Sequence, residues 1–537
     1  MALSLKPRHL SRYRDIAALL VKHGRAEGLR HPDEATSDDA EKLVGDLEAM
    51  GPTFIKLGQL LSTRADLLAP PYLDALARLQ DDVEPFSFED VERIVTDELG
   101  VRISNGFQSF DHRPLASASL GQVHRAVLRD GREVVVKVQR PGAAEQVAED
   151  MEVIDELAEF VDEHTKAGRH FGFSGMVEEF RTAITAELDY RLEVEHLHTL
   201  HDLLQDFELI VVPQPIDDYS TVRVLTMEYV DGRNVSAIGP LARTDIDGAA
   251  LADELFRAFL DQILVHGFVH ADPHPGNVLL TNDGRLALID LGMITHVDSA
   301  MQDKLLRLLV ALSDGKGEET AEVLVSLVDT TDEYDRESFV HSIVELVQRN
   351  QSMTVGRLQA GRVVGDLARI SAENGLRPPS AMTMLAKALL NLDQVACSLA
   401  PDFDPNEAMR DHLADVMRQK VLHAASPGSV AAAVLDAKEF AERLPSRVNK
   451  VMDALAKGEL TLNVKGIDEA ELMRGIQKLA NRVTSGLVMA ALLLAGAMIG
   501  ESVLATVMFV VAAVIGLWLV ASALLIDLPQ HRRRRHG

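Results

Sequence analysis

The chain is 537 residues long, 47% hydrophobic and 25% charged, which describes a folded protein of three or four units at roughly 150 residues each. Cys397 is the sole cysteine; this excludes an internal disulfide framework and a cysteine-based zinc site, and it fits a chain facing a reducing compartment. The formal net charge of −28, from 54 Lys+Arg against 82 Asp+Glu, argues against nucleic-acid binding, which draws its affinity from neutralising phosphates.

Residues 1–35 form a basic segment, in which residues 1–30 hold Lys6, Arg8, Arg12, Arg14, Lys22, Arg25 and Arg30 against Asp15 and Glu27. No apolar run suited to a secretory signal follows. The composition fits an amphipathic helix on an anionic membrane surface, with an organellar presequence as the alternative. Residues 36–100 read as helices. Thr36-Ser37-Asp38-Asp39 resembles a capping box, and Leu43, Leu47 and Met50 recur at helical spacing. Gly51-Pro52 breaks the chain before a second helix that buries Phe54, Leu57, Leu60 and Leu61 and projects Lys56 and Gln59 together on another face.

From about Val101 the pattern changes to strands. Val127–Arg132 and Glu133–Val138 predict a hairpin around Asp130-Gly131, with Val134, Val136 and Val138 on one face and Val135 and Lys137 on the other. Helical periodicity covers 143–205, and further strands are expected at 209–212 and 221–229. After Asp231-Gly232 the chain reads as helical, apart from a hairpin of 278–280 and 286–289 across Asn282-Asp283-Gly284. The expected architecture is α+β over residues 101–400: a small β-rich lobe to about 230, then a large helical lobe. Residues 401–482 read as a helical extension.

The C-terminus carries two uncharged stretches, Val483–Gly500 and Val503–Ile526, separated only by Glu501-Ser502. A bilayer core of about 30 Å needs roughly 20 helical residues. Lys478 and Arg482 precede the first stretch, and Arg532–Arg535 follow the second in the basic tail 527–537. The positive-inside rule then predicts a transmembrane helical hairpin at 483–526 with both ends in the cytoplasm. Two buried helices in a soluble core are the competing reading.

The densest chemistry is His270-Ala271-Asp272-Pro273-His274-Pro275-Gly276-Asn277, followed by the hairpin and Asp290-Leu291-Gly292. The hairpin folds back and delivers Asp290 beside Asn277, two oxygen ligands suited to Mg²⁺ shared with phosphate oxygens. Asp272 stands one short loop away, free to orient a hydroxyl or water, as phosphoryl transfer requires. His270, Asp272 and His274 as metal ligands are the alternative.

The five-residue step from Asp272 to Asn277 resembles the protein-kinase catalytic loop, Asp290-Leu291-Gly292 resembles the kinase DFG triplet, and Lys137 resembles the strand lysine that holds the nucleotide phosphates. Lys56-Leu57-Gly58-Gln59, Ala116-Ser117-Ala118-Ser119, Glu187-Leu188-Asp189 and His-Ala-Asp-Pro-His-Pro-Gly-Asn, in this order, resemble the KxGQ, alanine-rich-loop, ExD and catalytic motifs of the UbiB/AarF family of atypical kinase-like proteins. The resemblance runs from about residue 36 to 400, and the C-terminal hairpin resembles that of bacterial members.

The resemblance implies a two-lobe kinase-like fold with an N-terminal helical extension. It also implies ATP or ADP with Mg²⁺ as cofactors, Asp272, Lys137, Asn277 and Asp290 as catalytic residues, and Asn277 and Asp290 as the metal ligands. The nucleotide would be covered by Leu115, Ala116, Ser117, Ala118, Ser119, Leu120, Gly121, Gln122 and Val123, and read by the hinge at Glu228 and Val230. The loop's β-carbons limit its backbone freedom near phosphates, and the family's weak protein-kinase activity is tied to that loop. Glu193 would pair with Lys137, and Glu187 with Lys56. Gln59 and Asp189 complete the structural set, and the KxGQ helix would lie where a peptide substrate normally sits. No Ala-Pro-Glu triplet follows Asp290 at kinase spacing.

The expected function is a kinase-like ATPase anchored in the bacterial cytoplasmic membrane. Its expected role is in isoprenoid-quinone biosynthesis or lipid metabolism, with membrane lipids and quinone-pathway enzymes or intermediates as partners. The rivals are a small-molecule or lipid kinase of the same fold and a nucleotide-gated scaffold without turnover.

Overall fold

The computed structural model describes residues 10–418 together with Val511, apart from 24–36, 63–67, 77, 80–82, 166–171, 240, 331–333, 353–359, 378 and scattered positions after 405. The expected hairpin at 483–526, save for Val511, and the tail at 527–537 lie outside the described residues, as does nearly all of 419–482. Among the described residues no helix is long and apolar enough to cross a membrane.

Among the described residues the chain opens with the helices α1 (Leu10–His23), α2 (Ser37–Met50), α3 (Pro52–Leu61) and α4 (Pro70–Leu76). After α5 (Phe88–Leu99) come strands β1 (Phe107–Phe110), β2 (Ala116–Ser117), β3 (Gly121–Leu128) and β4 (Glu133–Gln139). Three helices follow: α6 (Ala143–His164), α7 (Phe173–Glu187) and α8 (Tyr190–Leu203). Then come β5 (Ile210–Val211), β6 (Val224–Glu228) and β7 (Gly232–Asn234).

The small-lobe sheet is antiparallel in the order β1-β3-β4-β6, with β2 added on β3. Period-two alternation decides its faces. Val134, Val136 and Val138 are fully buried against Val91, Ile94 and Val95 of α5. Val135 and Lys137 face the opposite way, into a cleft. The Asp130-Gly131 turn closes the β3–β4 hairpin as the sequence predicts, with Gly131 at φ +90°.

The large lobe begins with α9 (Gly248–Asp261), then β8 (Phe268–His270), β9 (Val278–Thr281), β10 (Leu286–Leu288) and β11 (Ile294–His296). It continues with α10 (Ser299–Ser313), α11 (Gly317–Leu327), α12 (Arg336–Ser352), α13 (Ala360–Glu373) and α14 (Ser380–Leu399). The predicted β9–β10 hairpin is present, with Leu288 opposite Val278 and Leu286 opposite Leu280.

One strand departs from the expected grouping. The sequence places 209–212 with the small lobe, but β5 pairs in parallel with β10, Ile210 opposite Leu286, in a sheet ordered β5-β10-β9-β7. A run this short carries no signal that distinguishes its partners; burial of Ile210 and Val212 in the core shared with Leu286 and Leu288 does.

The N-terminal helices are fastened to the small lobe by a buried polar clasp. Tyr13 and Ile16 of α1 are buried in one core with Leu43 and Leu47 of α2, Phe54 of α3 and Met151 of α6. The Arg12 Nη2 group donates to Asp150 Oδ2 at 2.7 Å and to the Met50 carbonyl at 2.8 Å, while Thr53 Oγ1 donates to the same Asp150 oxygen at 2.6 Å. Asp150 is almost wholly buried, and the guanidinium is its ion-pair partner there. The apolar face of α1 is thus occupied within the fold, and its outward side carries Arg14 and Lys22.

Removing one partner of a buried pair strands the other. Arg12→Ala is therefore expected to lower unfolding stability by about 3 kcal/mol, read by urea titration. A loss below about 1 kcal/mol, the level of a surface pair, would show that the clasp carries no such charge.

Candidate active site

The cleft between the lobes has a volume of about 1560 Å³. On its small-lobe wall, β4 holds Lys137, whose Nζ donates to Glu193 Oε2 at 2.9 Å and Oε1 at 3.2 Å and to Asp290 Oδ1 at 3.3 Å. Glu193 lies in the first turn of α8, buried to 4% exposure. Burial pulls the Lys137 ammonium down, but Asp290 and Glu193 outweigh it and hold the lysine well above its ordinary value. Burial raises the Glu193 carboxyl, opposed by Lys137. The Lys137 charge, with burial opposing and Lys56 adding, brings Asp290 down to about 2. The two lysine charges thus favour the carboxylate form of Asp290.

The β9–β10 hairpin sets Asn277 and Asp290, the two candidate oxygen ligands, at its open end. Asn277 immediately precedes β9, and the Ile289 N–H donates to the Asn277 carbonyl at 2.9 Å, so the segment bearing Asp290 returns beside Asn277. Gly284, at φ +85°, allows the tight reversal. Asp290 itself sits at φ +62°, alone among the described non-glycine residues in that left-handed region. Such a conformation is tolerated where surrounding structure over-determines it. Here that structure is Leu291, fully buried, whose carbonyl accepts from His196 Nδ1 of α8 at 2.9 Å. The two oxygen donors beside a cation-held carboxylate fit a hard divalent cation shared with phosphate.

The catalytic-type loop is held by its own polar groups. Gly276 N–H donates to His274 Nδ1 at 3.1 Å, and Asn277 Nδ2 donates to the Asp272 carbonyl at 3.3 Å. His270 is fully buried, neither ring nitrogen has a hydrogen-bond partner among the described residues, and burial pushes it below the usual imidazole range. His270 is therefore a core residue and His274 a loop cap. The reading of the two histidines as metal ligands with Asp272 is not supported.

The KxGQ helix lies across the front of this site. Lys56 of α3 forms an ion pair with Glu187 at the end of α7, with side-chain exposures of 14% and 23%, and Gln59 donates to the Leu79 carbonyl at 3.4 Å. Gly58 has to be small: a β-carbon there would stand 2.3 Å from Leu79. Asp189 behaves differently. It caps α8, accepting from the Arg191 N–H at 3.1 Å and pairing with the Arg191 guanidinium, and it is not among the cleft-lining residues.

Leu115, Ala116, Ser117, Ala118, Gly121 and Val123 line the cleft, as do Glu228 and Val230 of the hinge. Gly121 is demanded by close approach, since a β-carbon would stand 2.6 Å from Tyr190 Oη and 2.7 Å from the Val138 carbonyl. Three of the expected nucleotide residues turn away. Leu120 packs into the N-terminal core, Ser119 is fully buried, and the Gln122 side chain accepts from the Phe86 N–H at 3.0 Å and meets His124. Strand alternation in β3 sends the Gln122 side chain inward, whereas Ser119 and Leu120 lie in the turn between β2 and β3 and pack there into the fold.

Residues 78–324 match the ABC1 atypical kinase-like domain, and residues 467–525 match the ABC1/UbiB kinase-like C-terminal domain. The chain is 31% identical over 434 residues to an uncharacterized protein of Synechocystis sp., covering 80% of this chain and 74% of that one. It is 33% identical over 368 residues to a probable protein kinase UbiB of Cellvibrio japonicus, covering 68% and 67%. The chain belongs to the ABC1/UbiB family. A solved Mycobacterium tuberculosis protein in complex with erythromycin is 24% identical, with a TM-score of 0.47, covering 76% of this chain and 98% of that one.

In this UbiB-family chain the site also contains residues that sequence reasoning missed. Lys387 and Asn391, one turn apart on α14, reach Asp272: Lys387 Nζ lies 3.3 Å from Oδ2, and Asn391 Nδ2 donates to Oδ1 at 2.7 Å. The available signal was Lys387, Asn391 and Gln394 sharing one face of an otherwise apolar helix. Tyr190, immediately after the ExD motif, was missed as well; its ring lies 5.2 Å from the Lys137 ammonium.

The Lys56–Glu187 pair is testable by double-mutant cycle. Lys56→Ala and Glu187→Ala are each expected to lower stability by more than the ~0–1 kcal/mol of a surface pair, approaching the ~3–5 kcal/mol of a broken buried pair. The double variant should lose less than the sum. Strictly additive losses would mean that the two charges act independently.

Proposed function

We propose that this UbiB-family chain is a membrane-anchored ATPase that binds Mg²⁺ and ATP or ADP and supports isoprenoid-quinone or lipid metabolism. The observation that carries the nucleotide reading is the Lys137 ammonium held by Glu193 and Asp290 at the cleft wall. A bound Mg²⁺ would neutralise phosphate charge, with Asn277 and Asp290 as its protein ligands. Lys137 would then meet the α/β-phosphates from the opposite wall. Asp272 would orient the attacking oxygen and take its proton, while Glu228 and Val230 would present backbone groups to adenine. The quinone role rests on family membership.

The second reading, a kinase for a small molecule or lipid, is favoured by one observation. Lys56 and Gln59 of α3 and Lys387 and Asn391 of α14 line the same cleft as Asp272, so the acceptor side is walled by helices. That arrangement suits a compact acceptor better than an extended peptide.

Mg²⁺-dependent stabilisation by nucleotide is expected to disappear in Asp290→Asn and to weaken in Lys137→Ala, measured by thermal shift. Parent-like stabilisation in both variants would overturn the nucleotide reading.

The anchor is tested separately. Truncation before Val483 is expected to move the protein to the soluble fraction, or to weak, salt-sensitive membrane attachment through the basic N-terminus. Retention of the truncated chain in membranes after an alkaline wash would refute the hairpin anchor.

A further inference from the structure

Five cationic side chains line the cleft: Lys56, Arg78, Lys137, Arg369 and Lys387. Four are engaged away from Asp272. Lys56 pairs with Glu187, Arg78 with Glu41, Lys137 with Glu193 and Asp290, and Arg369 with Asp366 and Glu373. Lys387 alone among them is paired with Asp272, at 3.3 Å. The loop itself supplies no permanent cation there, since Pro273, His274, Pro275 and Gly276 separate Asp272 from Asn277, and His274 is used as the loop's cap.

We infer that Lys387 is a catalytic residue that neutralises the γ-phosphoryl group during transfer. The inference rests on the nucleotide reading above and goes beyond it. Asp272 is held at both oxygens from one face of α14. Asn391 is a short, buried amide that donates to Oδ1 and anchors that oxygen. Lys387 is a long chain, 22% exposed, whose ammonium can swing by rotation of its stem. When ATP occupies the cleft, the Lys387 ammonium leaves Oδ2 for the equatorial oxygens of the γ-phosphoryl, where charge is spread in the transition state. Oδ2 is then free to accept a proton from the attacking water, while Asn391 keeps Oδ1 in place.

The step balances for hydrolysis. The water oxygen forms a bond to the γ-phosphorus, and the bond from that phosphorus to the β-bridging oxygen breaks, leaving its electron pair on ADP. The water proton passes to Asp272 and from there to solvent. ADP lacks the γ-phosphoryl, so with ADP bound Lys387 stays on Asp272. The two nucleotides therefore differ in whether they engage this lysine.

The test compares binding with turnover in the full-length protein in lipid. Lys387→Ala and Lys387→Met, the second keeping most of the stem without the charge, are measured against the parent for affinity to Mg–ADP and to a non-hydrolysable Mg–ATP analogue, and for kcat. Both variants are expected to keep Mg–ADP affinity within about two-fold, to weaken the ATP analogue by about ten-fold, and to lose about 100-fold or more in kcat. Lys387→Arg should recover part of the kcat. Equal loss of both nucleotides in both variants, or an unchanged kcat, would overturn the assignment while leaving the nucleotide reading intact. A parent that binds neither nucleotide would overturn both.

Discussion

A lysine ammonium shared by two carboxylates, one from each lobe, is the constraint on which the rest of the cleft depends. Lys137 stands on β4 and Glu193 on α8, both in the small lobe, while Asp290 stands past β10 in the large lobe. Placing a cation and a 4%-exposed carboxylate in this wall is tolerable only because each satisfies the other. The remaining charge reaches across to Asp290. Leu291 anchors the segment behind Asp290 through the core and through His196, so the helix that supplies Glu193 also braces the loop that supplies Asp290. One helix thus sets both carboxylates of the trio.

The N-terminal helices serve this arrangement from outside. Asp150 on α6, gripped by Arg12 and Thr53, ties α1 and α3 to the small lobe, and α3 then delivers Lys56 to Glu187. The Lys56 charge also helps hold Asp290 ionised. A residue well outside the minimal kinase-like pattern therefore contributes to the field at Asp290. The extension is part of the site.

The parts legible in sequence were those with short-range pattern. Alternating valines in β4 placed Lys137 on the cleft face, and the Asn282-Asp283-Gly284 turn placed Asp290 beside Asn277. The pairings Lys137–Glu193 and Lys56–Glu187 followed from family resemblance, since no local rule links residues so far apart in the chain. Lys387 and Asn391 shared a helix face with Gln394, but they lie more than a hundred residues after Asp272 and carry no motif, so nothing in the sequence tied that face to Asp272. Asp189 was placed with the site by its motif, yet a carboxylate directly before a helix is first of all a cap, and that is how it is used. Ser119, Leu120 and Gln122 failed for another reason: a motif marks a stretch of backbone, while the β2–β3 turn (for the first two) and strand alternation (for Gln122) decide which side chains face the cleft.

The unexpected pairing of β5 has a mechanical consequence. The chain crosses between the lobes at Glu228–Val230, and it also runs from α8 into the large-lobe sheet at Ile210–Val211 before returning to β6. These three passages between the sheets act like the pins of a door, tying one sheet to the other and resisting their sliding apart. The cleft walls not tied by those pins include α3 and α14, which contribute Lys56 and Lys387 to its lining. A ligand meeting those walls meets cations that already carry a carboxylate each, Glu187 and Asp272, so it enters by exchanging partners and not by finding bare charge.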